Sequence, residues 1–300
     1  MTPFSSLKLG IIGLGNMGKY HVNTLLELGL SVAGVCDANP ELVKKVALQC
    51  DCPGYVSVSE FLDKVSLDAV AIVLPTFLHY DVAMACMAKG LHVFIEKPIA
   101  SHVSQAEDMG AYAAAHDLVL MVGHIERFNP AVQSLMAYVQ KGALGDLVSF
   151  SSRRESPMPL QIKDANVLLD LAVHDLDIAL ALMGTPVSVQ RHSFSVHLPD
   201  RDDYASLVLF YPKGLAHIQV NWVSQLKTRQ LFLLGTKGSV TLDYLNQTVQ
   251  VFHEDDSLFL PVQAQKPLTL EWQHFLFCID QKTQPLVNAE AGVAVLKLIA

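Results

Sequence analysis

Three clusters in this 300-residue chain combine residue types and spacings that could do chemistry. Asp170, His174 and Asp177 stand at i, i+4 and i+7 in a segment otherwise rich in Leu, Ala, Val, Ile and Met, with no Lys, Arg or Glu. On a helix they share one narrow face, with Asp175 off the stripe. A helix apolar almost all round is buried, and buried carboxylates and imidazoles need partners. A cleft holding a polar substrate supplies such partners; a solvated polar stripe is the competing reading. Lys97 is the second centre. It follows an apolar run, Leu91 to Ile95, and precedes Pro98, which biases it to extended backbone. Open α/β sheets bind ligands at the carboxyl ends of their strands, so Glu96 and Lys97 are expected beside a cofactor. A surface lysine ending a strand is the bland alternative.

The third cluster is Gly13-Leu14-Gly15-Asn16-Met17-Gly18, placed between the apolar run Leu7 to Ile12 and a helical pattern from about Lys19 to Leu28. Its glycines permit a tight turn, close approach of a pyrophosphate, and close helix–strand packing. The helix start offers free N–H groups to phosphates. Asp37 closes the next apolar run, 19 residues after Gly18, where a carboxylate bonds the ribose hydroxyls of NAD. Gly13, Gly15, Asn16, Met17, Gly18 and Asp37 are therefore read as cofactor-binding. A 2′-phosphate would meet a like charge at Asp37, and Ala38-Asn39-Pro40 holds no Arg to receive it, so NAD is expected over NADP.

The elements that must position these residues alternate through the first half. Apolar runs at Ser31 to Cys36, Ala69 to Leu74 and Leu118 to Val122 join those already named. Helical patterns lie at Glu41 to Gln49, Tyr80 to Lys89 and Ser101 to His116. That alternation predicts a doubly wound parallel Rossmann sheet over residues 1–123. Pro75, Thr76 and His79 follow the third strand and are expected to line the nicotinamide side, although His79 could simply start a helix. After Gly145 the pattern changes. Strand-like runs recur at Leu147 to Arg154, Val187 to Val196, Tyr204 to Phe210, Leu215 to Val223, Gln230 to Leu234, Val240 to Tyr244 and Thr248 to His253. Tyr211-Pro212-Lys213-Gly214 and Asn246-Gln247 are turn signals between them. Helices are expected at about Val167 to Met183 and Thr269 to Gln281. Residues 124–300 thus read as an α+β domain on a large, mostly antiparallel open sheet.

Composition removes several function classes. The net charge is −8 and the basic residues are scattered, which argues against a nucleic-acid partner. No apolar run approaches the length of a membrane span, and the amino terminus lacks the pattern of a signal peptide. Of five cysteines only Cys50 and Cys52 are close, without a second pair at zinc-site spacing. Reduced thiols in the cytoplasm and no metal are expected.

Leu91 to Ala100, LHVFIEKPIA, strongly resembles the glucose–fructose oxidoreductase / inositol dehydrogenase (Gfo/Idh/MocA) family. GLGNMG, PTFLH at Pro75 to His79, GHIERFNP at Gly123 to Pro130, DLAVHDLD at Asp170 to Asp177 and LLGTKGSV at Leu233 to Val240 extend the resemblance along the chain. It implies α/β architecture with the two domains above, and hydride transfer between a nicotinamide and a sugar, cyclitol or related hydroxyl. It places catalysis on Lys97 and turns Asp170 and His174 toward the substrate. Which of Lys97 and His174 is the base stays open; His174 has the nearer unperturbed pKa. His124, Arg127 and Arg153 are expected at the substrate, with Arg127 alternatively an interdomain ion pair and Arg154 a companion to Arg153 on a diphosphate. His21 reads as packing. Family members usually continue past a helix such as Gly292 to Ala300, so the carboxyl end looks short. GHIERFNP is most similar to the nucleotide-sugar subset, UDP-N-acetylglucosamine 3-dehydrogenases among them. Inositol or free-sugar dehydrogenases, NAD-dependent glycosidases and non-catalytic NAD-binding regulators are the alternatives. A sheet with one face uncovered implies a homodimer or homotetramer, with Tyr204 to Val223 in the interface.

Overall fold

Strands covered on both faces can be apolar throughout, and those of the first half are. The computed structural model describes residues 4–158 and 166–299. In it β1 (Leu9–Ile12), β2 (Val32–Cys36), β4 (Ala69–Ile72), β5 (His92–Glu96) and β6 (Leu120–Gly123) are almost wholly buried. With the two-residue β3 (Gly54–Tyr55) they form a parallel six-stranded sheet in the order β3-β2-β1-β4-β5-β6. The crossovers are α1 (Asn16–Glu27), α2 (Pro40–Cys50), α3 (Val58–Lys64), α4 (His79–Ala88) and α5 (Val103–Ala115). α2 starts on an Asn39 cap with Pro40 in its first turn, and α3 on a Ser57 cap. β3 and α3 are elements that apolar patterning did not predict. β3 is too short to show a period, and α3 buries only Phe61.

Two compact units divide the chain, and the division is not a single cut. The segment up to His124 is completed by Leu268–Leu296, whereas Ile125–Pro267 forms the second unit with Lys297–Ile299. Placing everything after residue 123 in one domain therefore misassigns α8 (Pro267–Gln281) and most of α9 (Ala289–Ile299), whose apolar residues belong to the first core. Trp272 and Phe275 are fully buried there, beside Phe94 of β5.

In the second unit, α6 (Pro130–Gln140) begins on an Asn129 cap. Eight strands follow: β7 (Leu147–Glu155), β8 (Ser188–Phe194), β9 (Tyr204–Tyr211), β10 (Gly214–Asn221), β11 (Thr228–Gly235), β12 (Gly238–Asp243), β13 (Thr248–Phe252) and β14 (Ser257–Phe259). Among the described residues they form one sheet in the order β14-β13-β12-β11-β7-β10-β9-β8, antiparallel except where β7 meets β10. α6 and α7 (Val173–Met183) pack on this sheet. Alternation is clean: Leu231 and Leu233 are buried, while Phe232 and Leu234 are exposed. Among the described residues no helix is long and apolar enough to cross a membrane.

The segment expected as one regular helix from Val167 is two structures. Leu168–Ala172 is a π-turn, and the α-helix starts only at Val173. α7 is anchored by Arg154, which is 1% exposed. Its guanidinium donates to both oxygens of Asp175 at 2.8 and 3.2 Å and to Glu126 at 2.8 Å, and it lies 4.9 Å from the centre of the Tyr244 ring. Burial acts to lower the Arg154 pKa, but the Asp175 and Glu126 carboxylates outweigh it and hold the cation charged. Removing one partner of such a buried pair leaves stranded charge. Arg154→Leu is expected to lower stability by about 3–5 kcal/mol, read as a fall in melting temperature. An unchanged melt would contradict that role.

Candidate active site

The cofactor side is built from strand ends. Gly13 takes φ +98°, and a Cβ there would stand 2.1 Å from the Val73 carbonyl oxygen. A Cβ on Gly18 would stand 2.1 Å from the Gly13 carbonyl oxygen, so helix and turn touch only because both residues lack side chains. Gly15 is different: its Cβ position faces open space. α1 starts there with no side-chain cap and no acidic residue in its first turn. That combination leaves N–H groups and the positive end of the helix for an anion, and it fits a pyrophosphate. Asn16 is exposed and Met17 half-buried beside it. Asp37 accepts from the Leu14 N–H at 2.6 Å and from the Asn39 N–H at 2.8 Å. It thereby ties the glycine turn to the start of α2.

Pro75 is exposed and Thr76 half-buried after β4. His79 is buried, with its ring nitrogens 2.9 Å from the Pro98 carbonyl oxygen and 2.8 Å from that of Leu74. Burial pushes its pKa down, against the pull of those carbonyls. Its ring is therefore committed to the backbone on both sides. The Lys97–Pro98 peptide is cis, and Lys97 is half-buried. The Lys97 N–H donates to Glu96 Oε2 at 3.1 Å, while Glu96 Oε1 lies 2.9 Å from His21 Nε2. Glu96 thus faces inward, to a histidine that the sequence marked only as packing. His124, at the end of this segment, is 1% exposed.

In the second unit Asp170 lies on the π-turn and His174 on the first turn of α7, both half-buried. Asp177 departs from the expected shared stripe. It is buried and accepts from Arg127 Nη1 at 3.2 Å, and its second oxygen has no hydrogen-bond partner among the described residues. Arg127 therefore makes an ion pair inside this unit. Arg229, which the sequence did not single out, lies near this group. Burial and the Arg154 charge lower its pKa, while Glu126, Asp175 and Asp170 raise it.

Arg153 and Arg154 do not act as a pair. Neighbours on a strand point to opposite faces, and Arg154 turns toward α7. Arg153 pairs with Glu155 at 3.0 Å and lines a depression on the other face with Ser151, Gln230, Phe232 and Asp243. A shared grip on a diphosphate is excluded by that alternation, and Arg153 lies on the face opposite the helix that carries His174.

A family model described as "Oxidoreductase family, NAD-binding Rossmann fold" matches residues 7–124, and a GFO/IDH/MocA C-terminal domain model matches residues 132–241. The chain belongs to the Gfo/Idh/MocA family. It is an NAD-dependent dehydrogenase of CH–OH groups. UDP-N-acetylglucosamine 3-dehydrogenase of Acidithiobacillus ferrooxidans is 31% identical over 249 residues, covering 82% of this chain and 77% of that one. A solved structure of that enzyme superposes with a TM-score of 0.89 at 29% identity, covering 97% and 94% of the two chains. The scyllo-inositol 2-dehydrogenase (NAD(+)) of Bacillus subtilis is 24% identical over 316 residues, covering 96% and 92%. A levoglucosan dehydrogenase in complex with NADH and levoglucosan shares the fold at a TM-score of 0.88 and 20% identity, over 97% and 94%.

Asp177 gives this Gfo/Idh/MocA member a testable pH dependence. Burial raises its pKa to about 7, against the single contact with Arg127. The folded state then binds the proton more tightly than the unfolded chain. That contribution is fully present below about pH 4 and is lost as pH rises through about 7. Thermal melts across this window are expected to decline more steeply for the natural chain than for Asp177→Asn. Parallel profiles would show that burial does not dominate at this carboxyl.

Proposed function

We propose that the chain oxidises a secondary hydroxyl of a nucleotide sugar, in the manner of a UDP-N-acetylglucosamine 3-dehydrogenase. The observation that carries this reading is the 31% identity over 82% of the chain to an enzyme of that name, against 24% to the inositol dehydrogenase. Gly13, Gly15, Asn16, Met17, Gly18 and Asp37 would hold the dinucleotide, with Pro75 and Thr76 beside the nicotinamide. Bound NAD supplies the hydride acceptor. Lys97 hydrogen-bonds the reacting hydroxyl oxygen. His174 takes the hydroxyl proton, because its unperturbed pKa lies near neutrality. Asp170 orients His174 or the substrate. His124 would meet the substrate, and Arg127 would act through its pairing with Asp177. His79 and Glu96 hold the strand-end turns rather than meeting the cofactor directly.

Single-turnover hydride transfer with UDP-N-acetylglucosamine is expected to fall by about 10²-fold or more in Lys97→Ala and in His174→Ala. Near-natural rates in both variants would refute the assignment. The same assay across UDP-sugars, inositols and aldoses tests the substrate: preference for myo-inositol would move the protein to the cyclitol branch. The uncovered sheet face carries exposed Phe232, Leu234 and Leu215. We propose that a second copy covers it, giving a homodimer or homotetramer. Sedimentation equilibrium showing only monomer at micromolar concentration would oppose this.

A further inference from the structure

We propose that Trp272, His21 and Glu96 form a buried relay that positions Lys97, the residue assigned above to the reacting hydroxyl, on which reading this inference rests. The four residues belong to one unit. The Trp272 indole N–H donates to His21 Nδ1 at 3.1 Å. His21 Nε2 meets Glu96 Oε1 at 2.9 Å, and Glu96 Oε2 accepts from the Lys97 N–H at 3.1 Å.

Chemistry fixes the direction of this chain. An indole nitrogen can only donate, so His21 Nδ1 must accept. A proton on Nδ1 would set two donors against each other. The ring proton therefore sits on Nε2 and is donated to the carboxylate. Every polar atom in the sequence of contacts has one partner of the right kind, and the tautomer is set from 251 residues away.

Surroundings make the relay rigid. His21 and Trp272 are 0% exposed and Glu96 is 8% exposed. Phe94 meets the His21 ring edge-on at 5.1 Å and the Trp272 ring at 5.1 Å, with Phe275 behind them. Hydrogen bonds to a charged group are strong in such low-dielectric surroundings, and a missing one is costly. A Cβ at Gly123 would stand 3.1 Å from the Glu96 carboxyl group, a tight approach that a side chain there would make only by shifting it.

The purpose of this rigidity follows from where it ends. Lys97 opens the turn after β5, and Pro98 has no N–H of its own. Two of the turn's backbone groups are held by side chains: the Lys97 N–H by Glu96 and the Pro98 carbonyl by His79. A lysine amine rides on a flexible four-carbon stem, so its aim depends on a fixed backbone origin. Misplacing a reacting group by about 1 Å can cost about 10²-fold in rate. Trp272, His21 and Glu96 are therefore positioning residues.

His21→Phe and His21→Gln separate positioning from packing. Phenylalanine keeps the ring volume and removes both polar atoms. Glutamine keeps a donor toward Glu96 and an acceptor toward Trp272. Competitive acetylation, read at each lysine by mass spectrometry, is expected to show the Lys97 amine changed about three-fold or more in His21→Phe and restored in His21→Gln. With UDP-N-acetylglucosamine as probe, kcat is expected to fall about tenfold or more in His21→Phe, with the Kd for NAD little changed and most of the rate regained in His21→Gln. Nitrogen-15 spectra of the natural protein should show His21 protonated on Nε2. The proposal is overturned by protonation on Nδ1, by natural Lys97 acetylation in folded His21→Phe, or by equal defects in the two variants. If Lys97→Ala retains full hydride transfer, the catalytic assignment of Lys97 fails separately, and the acetylation and nitrogen-15 results still judge the relay.

Discussion

Parallel strands in register bring their carboxyl ends to a common edge, and everything on the cofactor side depends on that constraint. Ile12 of β1 stands opposite Cys36 of β2 and Ile72 of β4, and Ile72 stands opposite Ile95 of β5. The next residues along, Gly13, Asp37, Val73 and Glu96, therefore emerge in one row. A glycine turn, the Asp37 carboxylate that accepts from it, and the approach to a lysine come together without any of them being adjacent in sequence. A slip of one residue in any strand would invert its side chains and break the row. The near-complete burial of these strands is what forbids the slip.

The second unit solves a different problem, which is how to keep charge inside a sheet-and-helix layer. Arg154 meets Glu126 and Asp175 with three hydrogen bonds, and Tyr244 covers the guanidinium. Asn129 donates to Glu126 and to the Tyr244 carbonyl, linking the start of α6 to the same cluster. Apolar residues could fill that volume at comparable stability, but they would not specify which turn of α7 faces β7. The bidentate fork on Asp175 does specify it, and so it sets the rotation of the helix that also carries His174.

Much of this was legible in the residues, for reasons that differ by element. The glycine turn and Asp37 were readable because their requirements are local: a turn, a helix start and an acid at fixed spacing. Long buried strands declared themselves by composition, and β9 and β10 by the turn between them. The π-turn at Leu168–Ala172 was not readable, since a single extra residue per turn leaves no mark in an apolar segment. Asp177 was grouped with Asp170 and His174 by spacing alone, and its burial against Arg127 depended on a neighbour 50 residues away. The separation of Arg153 from Arg154 was there to be read, because strand alternation sends adjacent residues to opposite faces. The role of His21 was not, since the indole that orients it belongs to α8.

The return of α8 to the first unit has a consequence for biosynthesis. Phe94, His21 and Glu96 leave the ribosome long before Trp272 and Phe275, which complete their enclosure. At about 5–20 residues per second, the interval from the end of β6 to Trp272 lasts roughly 7–30 s. During that time the nascent chain carries a Rossmann sheet with one flank unsealed and a carboxylate without its finished hydrogen-bond chain. The second unit, whose strands are contiguous in sequence, has no such wait for its sheet, whereas the core of the first unit closes only when α8 has been made.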